Sequence, residues 1–353
     1  MGATKAPIIH RVGLRYNCLV TSPPQLLPPL PRGWYAVAFA SDVRPGQLIR
    51  RTFAGQQIVL WRGQSGQVRM MDAYCPHMGA HLGYGGAVLG DCVVCPFHGF
   101  RFAADGRCVA TGYGAEPPAL RIPTLPVRET NGLLMAFHDP EGKGPTWYVP
   151  DLDTDGWTRI HGHCITDIDS HLEDIAESTI DLRRFSATAR YRDVRSLSDP
   201  RLDGPYFYTR YGMTRTGVLT GLGDFRSECD VHIHGLGFAL VEAEIQGAGL
   251  RARVFILPAP TASQKIDLRL GASVRAPERR LLRAMPRAGW ARLVLRGLVS
   301  DVMADYELWH NKAHLPAPGL ARGDGPLGVF RRWARRFYPD AQPVDVPGAG
   351  SSA

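Results

Sequence analysis

Short apolar stretches recur from Gly33 to about Asp139: WYAVAFA, QQIVLWR, VRMMDAY, CVVCPF and LLMAFH. Turn-forming text separates them, as GQSGQ, GYGG and AADG. Runs of this length, rich in Val, Ile and aromatic residues and bounded by Gly, Asp and Ser, predict strands in a small all-β unit. The second half changes period. HLEDIAESTIDLRRF, residues 171 to 185, reads as a short amphipathic helix with acidic residues on one side, inside a helical segment predicted over about 168 to 185. Strand patterns follow in YFYTRYGM, DVHIHGLGFALVEAEI, RARVFILPA and KIDLRLGASV. From about Glu278 to His310 apolar residues then return at helical spacing. The expected fold class is α+β: an all-β domain, then an antiparallel sheet wrapped around a long C-terminal helix.

The chain of 353 residues exceeds what one ordinary core serves. The expected division is an extended, proline-rich arm over residues 1–32, a first domain at 33–140 and a second at 145–345, with PEGKG between the two. The 28 prolines and 39 glycines agree with a turn-rich β protein. No apolar run approaches the roughly 20 residues that cross a bilayer, and MGATKAPIIHRVGLRY lacks the apolar stretch of a secretory signal, so the cytoplasm is the expectation. Seven irregularly spaced cysteines do not form a disulfide framework. The net charge of +8 gathers late, at Arg279, Arg280, Arg283, Arg287, Arg292 and Arg296 and in RRWARR. A solvated helix face accounts for it most simply, with an acidic redox partner as the functional alternative and no sign of nucleic-acid binding. LLRAMPRAGWARLVLRGLVSDVM admits an interfacial helix at a membrane surface, but a core helix is the favoured reading.

The chemistry concentrates in CPHMGAHLGYGGAVLGDCVVCPFHGFRF, residues 75 to 102. Cys75 and His77 form a C-x-H pair, Cys95 and His98 a C-x-x-H pair, and 17 residues separate His77 from Cys95. Two loops, each offering one thiolate and one imidazole, suit a [2Fe–2S] cluster in which two Cys hold one iron and two His the other. Neutral imidazoles raise such a potential to about −150 to +300 mV. Tetrahedral zinc accepts the same ligands, but zinc-finger spacing keeps its cysteines together and its histidines together. Cys92, His81 and Cys108 lie nearby but off the pattern.

This segment resembles the Rieske motif, and GWYAVAFASDVRPGQ and CVVCPFHGFRFAADGRC around it resemble the Rieske non-haem iron oxygenases. LPAPTASQKIDLRLGASV and the tail skeleton in DYELWHNKAHLPAPGLARGDGPLGVFRRWARRFYP resemble the steroid-active branch, the 3-ketosteroid 9α-hydroxylase oxygenase component and cholesterol 7-desaturase. The resemblance spans about residues 30 to 340 and implies a helix-grip-type second domain around an apolar tunnel, here lined by residues such as Phe238, Leu240, Val241, Phe255 and Leu257. It implies O2-dependent oxidation of a steroid-like or polycyclic substrate, electrons from a ferredoxin or flavin reductase, and a homotrimer or a hetero-oligomer with a related subunit. It also implies a mononuclear Fe(II) in a two-histidine, one-carboxylate triad.

Carried over by position, Asp305 matches the carboxylate ligand and Asp174 the aspartate that bridges cluster and iron. The two positions where the resemblance requires histidines hold Glu177 and Leu182. Three readings stand. A changed set of Glu177, Asp181 and Asp305 holds a metal; His232 and His234, or the outlying His171, supply imidazoles; or the mononuclear site is gone and the chain is an electron-transfer or companion subunit.

Overall fold

The computed structural model describes residues 30–188, 190–216, 224–246, 249–275 and 286–339. The expected arm therefore lies outside the described residues save for its last three, and Arg279, Arg280 and Arg283 lie outside them too.

Residues 33–138 form three small antiparallel sheets. Strand β1 (Gly33–Phe39) pairs with β10 (Leu133–His138), which pairs with β9 (Val127–Thr130). The second sheet joins β2 (Leu48–Phe53), β3 (Gln56–Arg62) and β4 (Val68–Asp72) in sequence order. The third joins β5 (Ala87–Leu89), β6 (Cys92–Val94), β7 (Arg101–Phe102) and β8 (Cys108–Ala110). GWYAVAF is buried at every position because β1 is covered on both faces. Trp34 and Ala36 pack with Phe238, Leu240, Phe255 and Leu257, while Tyr35 and Val37 pack into the cluster that holds Leu268 and Leu270. The two halves of the chain thus share cores.

The second half is one seven-stranded antiparallel sheet in the order β11, β17, β16, β15, β14, β13, β12. Its strands are β11 (His161–Asp169), β12 (Tyr191–Asp203), β13 (Tyr206–Arg215), β14 (Phe225–His234), β15 (Ala239–Ile245), β16 (Leu250–Ala262) and β17 (Lys265–Arg275). The segment expected as one helix over 168–185 is two. Helix α1 (Leu172–Ser178) is N-capped by His171, whose Nδ1 accepts the Glu173 N–H at 3.3 Å. Thr179 ends α1, and Asp181 caps α2 (Leu182–Ala187) by accepting the Arg184 N–H at 2.9 Å. Two side-chain caps ten residues apart divide the segment, because each satisfies donors that a continuous helix would bond internally.

The predicted C-terminal helix is α3 (Arg287–His310), which packs on β17, β11 and β16. It buries Trp290, Val302, Asp305 and Trp309, so the core reading holds rather than the interfacial one. A short helix α4 (Leu327–Ala334) follows and packs against α1. Among the described residues no helix is long and apolar enough to cross a membrane.

Candidate metal centres and cavity

The two cluster loops are built alike. In each, the cysteine carbonyl accepts a glycine N–H, Gly79 to Cys75 at 2.9 Å and Gly99 to Cys95 at 3.1 Å. The cysteine N–H in turn donates onward, Cys75 to the Ala80 carbonyl at 2.9 Å and Cys95 to Phe100 at 2.8 Å. Both glycines have positive φ, which a side chain disfavours. Gly112 lets the second loop close: a Cβ there would lie 2.3 Å from the His98 carbonyl oxygen.

These loops bring the four candidate ligands together. Cys75 and Cys95 are both buried, and burial, with the neighbouring Cys95 thiol adding to it, pushes the Cys75 thiol up to about 11. The His77 and His98 rings meet edge to face at 4.8 Å, and His77 stacks on Phe100 at 4.2 Å. His98 Nδ1 is buried and has no hydrogen-bond partner among the described residues. Two adjacent buried thiols with two half-exposed imidazoles, one carrying an orphaned buried nitrogen, fit a [2Fe–2S] cluster. Around the imidazoles Tyr74, Met78, Tyr84, Phe97 and Tyr113 stand exposed.

The second centre differs. The acidic face of α1 is buried rather than solvated. Asp174 accepts from Lys312 Nζ at 2.7 Å and Arg331 Nη2 at 3.1 Å, and its other oxygen meets His314 Nδ1 at 3.1 Å. Burial alone would raise its pKa, but the His314 and Lys312 hydrogen bonds pull it down to about 2. No cluster histidine is among these partners. Arg331 Nε also bonds Glu177 and lies 3.3 Å from Glu173, while Arg331 Nη1 donates to the Leu315 carbonyl at 3.0 Å. Arg331, from RRWARR, is thus a buried counter-ion and not part of a solvated basic face.

Asp305 and Arg184 form an ion pair, and Arg184 Nη2 donates to the Ser178 carbonyl at 3.1 Å. Asp174, Glu177, Asp181 and Asp305 line one polar cavity of about 450 Å³. The expected set of Glu177, Asp181 and Asp305 nevertheless does not converge as ligands. Glu177 is committed to Arg331, Asp181 caps α2, and Asp305 carries the Arg184 guanidinium. His232 and His234 are elsewhere, packed on Tyr208 and Tyr206 along β14, and line neither cavity beside Asp305. Burial, reinforced by His232, holds the His234 imidazole at about 4. His171, Glu173 and His314 do bring donor atoms within 4.8 Å of one another. Glu173, however, is held by Arg331 and by Tyr338 Oη at 3.3 Å, and the two rings lie stacked at 3.7 Å. With no converging donor set beside Asp305 among the described residues, and with Arg184 and Lys312 lining its cavity, the residues present do not fit a mononuclear Fe(II).

Next to Asp305 a second, mostly apolar cavity of about 520 Å³ opens between the sheet and α3. Alternate residues of neighbouring strands face it, as a two-residue strand period requires: Met213, Cys229, Val241, Ala243, Ala252 and Val254. From α3, Val294, Leu298, Asp301, Val302 and Asp305 follow at helical spacing. Of the expected lining residues only Val241 belongs here; Phe238, Leu240, Phe255 and Leu257 face the opposite side, against β1 and β10. At one wall Asp301 accepts from Tyr191 Oη at 2.5 Å and Arg215 Nη2 at 2.8 Å. Sequence reading missed Arg184, Lys312, His314 and Arg331, although all four lie in segments singled out for other reasons.

A two-loop Cys/His cluster site ahead of a seven-stranded sheet that holds a cavity against a long helix defines a Rieske oxygenase-type protein. The chain belongs to that family. Residues 33–126 match the Rieske [2Fe-2S] domain, and residues 136–338 match the 3-Ketosteroid 9alpha-hydroxylase C-terminal domain. It is 34% identical to the cholesterol 7-desaturase nvd of Hemicentrotus pulcherrimus over 348 residues, which cover 90% of this chain and 72% of that one. It is 28% identical to a 3-ketosteroid-9-alpha-monooxygenase oxygenase component of Rhodococcus rhodochrous, over 89% of this chain and 85% of that one. In fold it is similar to apo dicamba monooxygenase, with a TM-score of 0.59 at 19% identity over 86% of this chain and 96% of that structure.

Proposed function

We propose that this chain is an oxygenase-type component that accepts electrons from a separate ferredoxin or flavin reductase and encloses a steroid-like or other apolar polycyclic substrate for O2-dependent oxidation. Cys75, His77, Cys95 and His98 hold the cluster in this reading, which when bound supplies one electron at a time. The half-exposed imidazoles and the apolar rim around them are where a donor or a neighbouring subunit of a trimer would dock. Asp174, held by His314, is the residue assigned to the link between cluster and second centre. The described cysteines are all free, in keeping with work in the cytoplasm.

The observation that carries the substrate class is the cavity: about 520 Å³ of mainly apolar wall ending on Asp305, within the range for a drug-sized ligand of roughly 300–1,000 Å³. The relatives named above act on cholesterol and a 3-ketosteroid. The cavity's tryptophans, Trp290 and Trp309, provide an intrinsic reporter. After anaerobic reconstitution, the expected result is a Rieske absorption and EPR spectrum on reduction, with tryptophan quenching by a saturable steroid. Cluster assembly without any saturable quenching would overturn the substrate class.

One observation favours a second reading, a companion subunit that carries electrons and binds ligand: the ion pair of Arg184 with Asp305 where the family implies a metal.

A further inference from the structure

Arg184 lies two residues beyond Leu182, the position that should have been a histidine. The Asp181 cap turns the chain there and starts α2, which places the guanidinium between the polar and the apolar cavity; Arg184 and Asp305 line both. One guanidinium hand is on Asp305, another on the Ser178 carbonyl, and Phe185 lies under its plane with 4.8 Å to the ring centroid. Arg184 Nε is buried and has no acceptor among the described residues.

The charges explain why this arrangement excludes a metal. The Arg184 guanidinium, charged at any accessible pH, pairs with Asp305 and neutralises it. A divalent ion would enter beside Arg184, with Lys312 and Arg331 on the same polar cavity or its acidic wall, and would gain no imidazole for the repulsion it meets.

We infer that the Arg184 guanidinium takes the place of the mononuclear iron and makes the site a recognition point for a carbonyl or carboxylate on an apolar polycyclic ligand. The Nε–H, without an acceptor among the described residues, is the donor such a group would satisfy, at the end of a mostly apolar cavity whose other polar wall is Asp301 with Tyr191 and Arg215. The cavity then holds its ligand beside a guanidinium and not beside iron. The inference rests on the cavity being a ligand site, as proposed above.

Two measurements test it. Iron and sulfide are counted per chain after anaerobic reconstitution with Fe(II) and sulfide, with nitric oxide added to reveal any mononuclear Fe(II) by EPR. The expected result is two irons, two sulfides and no nitrosyl signal. A third iron, lost in Asp305→Asn while the Rieske spectrum persists, would overturn the replacement of iron and leave the ligand reading standing. The second measurement compares 5α-androstane-3,17-dione with 5α-androstane by tryptophan quenching. The wild-type chain should prefer the dione by about tenfold or more, the worth of a hydrogen bond to a charged donor, and Arg184→Met should abolish that preference. An unchanged preference in Arg184→Met, with the Rieske spectrum intact as proof of folding, overturns the recognition role. If neither steroid binds while iron stays at two, the ligand half fails and the displaced iron stands.

Discussion

Replacing Arg331 by methionine tests whether the buried charges around α1 act as one network. The Arg331 side chain is 9% exposed, and its three carboxylate partners Glu173, Asp174 and Glu177 are 9%, 1% and 12% exposed. Without it Asp174 retains Lys312 and His314, and Glu173 retains Tyr338 Oη. Among the described residues Glu177 keeps Lys312 alone as an ion-pair partner, at 4.0 Å. Breaking a buried pair by removing one partner costs about 3–5 kcal/mol, a large share of the roughly 5–15 kcal/mol that holds a domain folded. Arg331→Met should lose that much in urea unfolding of the cluster-free protein near neutral pH. Glu177→Gln in the same chain should return at least about 1 kcal/mol, since the two residues are directly coupled.

The pH dependence has a definite sign. Burial already raises the Glu173 pKa while Arg331 lowers it, so deleting Arg331 moves it further up. A carboxyl group whose folded pKa exceeds its unfolded value stabilises the fold at low pH and loses that contribution as pH rises. The deficit of Arg331→Met should therefore shrink as pH is lowered toward about 5. A loss under about 1 kcal/mol at neutral pH, or a deficit that grows on acidification, would refute the network.

Other outcomes follow from single contacts. Cys75→Ser should abolish the Rieske spectrum and lower bound iron, read by absorbance and metal analysis, whereas Cys92→Ser should not. Gly112→Ala places a Cβ against the His98 carbonyl and should weaken cluster retention, measured as the rate of iron loss to a chelator. His171, held near 3 by burial and by His314, and His234, held near 4, stay neutral in the fold and charge on unfolding below their usual pKa of about 6.5. Stability should thus fall as pH drops from about 6.5 toward 4, and His234→Phe should flatten that fall in urea titrations. Ala243→Trp, on the cavity wall, should remove steroid quenching while leaving the Rieske spectrum unchanged.

What the sequence determined by itself was local. The cluster ligands sit in two short loops whose glycines and prolines dictate their shape, so ligand type and spacing carry the chemistry without help from distant residues. Strand periodicity likewise gave the all-β first half, the antiparallel second half and the long helix bearing Asp305. The tertiary structure decided what long-range contacts decide. HLEDIAESTIDLRRF reads only as amphipathic with acids on one side, and it is α4 and the segment after α3 that cover that side, with Arg331 approaching from 157 positions further along the chain to meet Asp174. Which strand face met the cavity was equally invisible: Val241 and Leu240 are both apolar, and only the packing of β1 and β10 on one side and α3 on the other separates lining from core. That Glu177 and Leu182 stand where the resemblance implies histidines was legible as letters. That a guanidinium stands on the remaining carboxylate depended on the turn at Asp181 and on a contact across 121 positions, because a buried charge is settled by whichever partner the fold brings within reach.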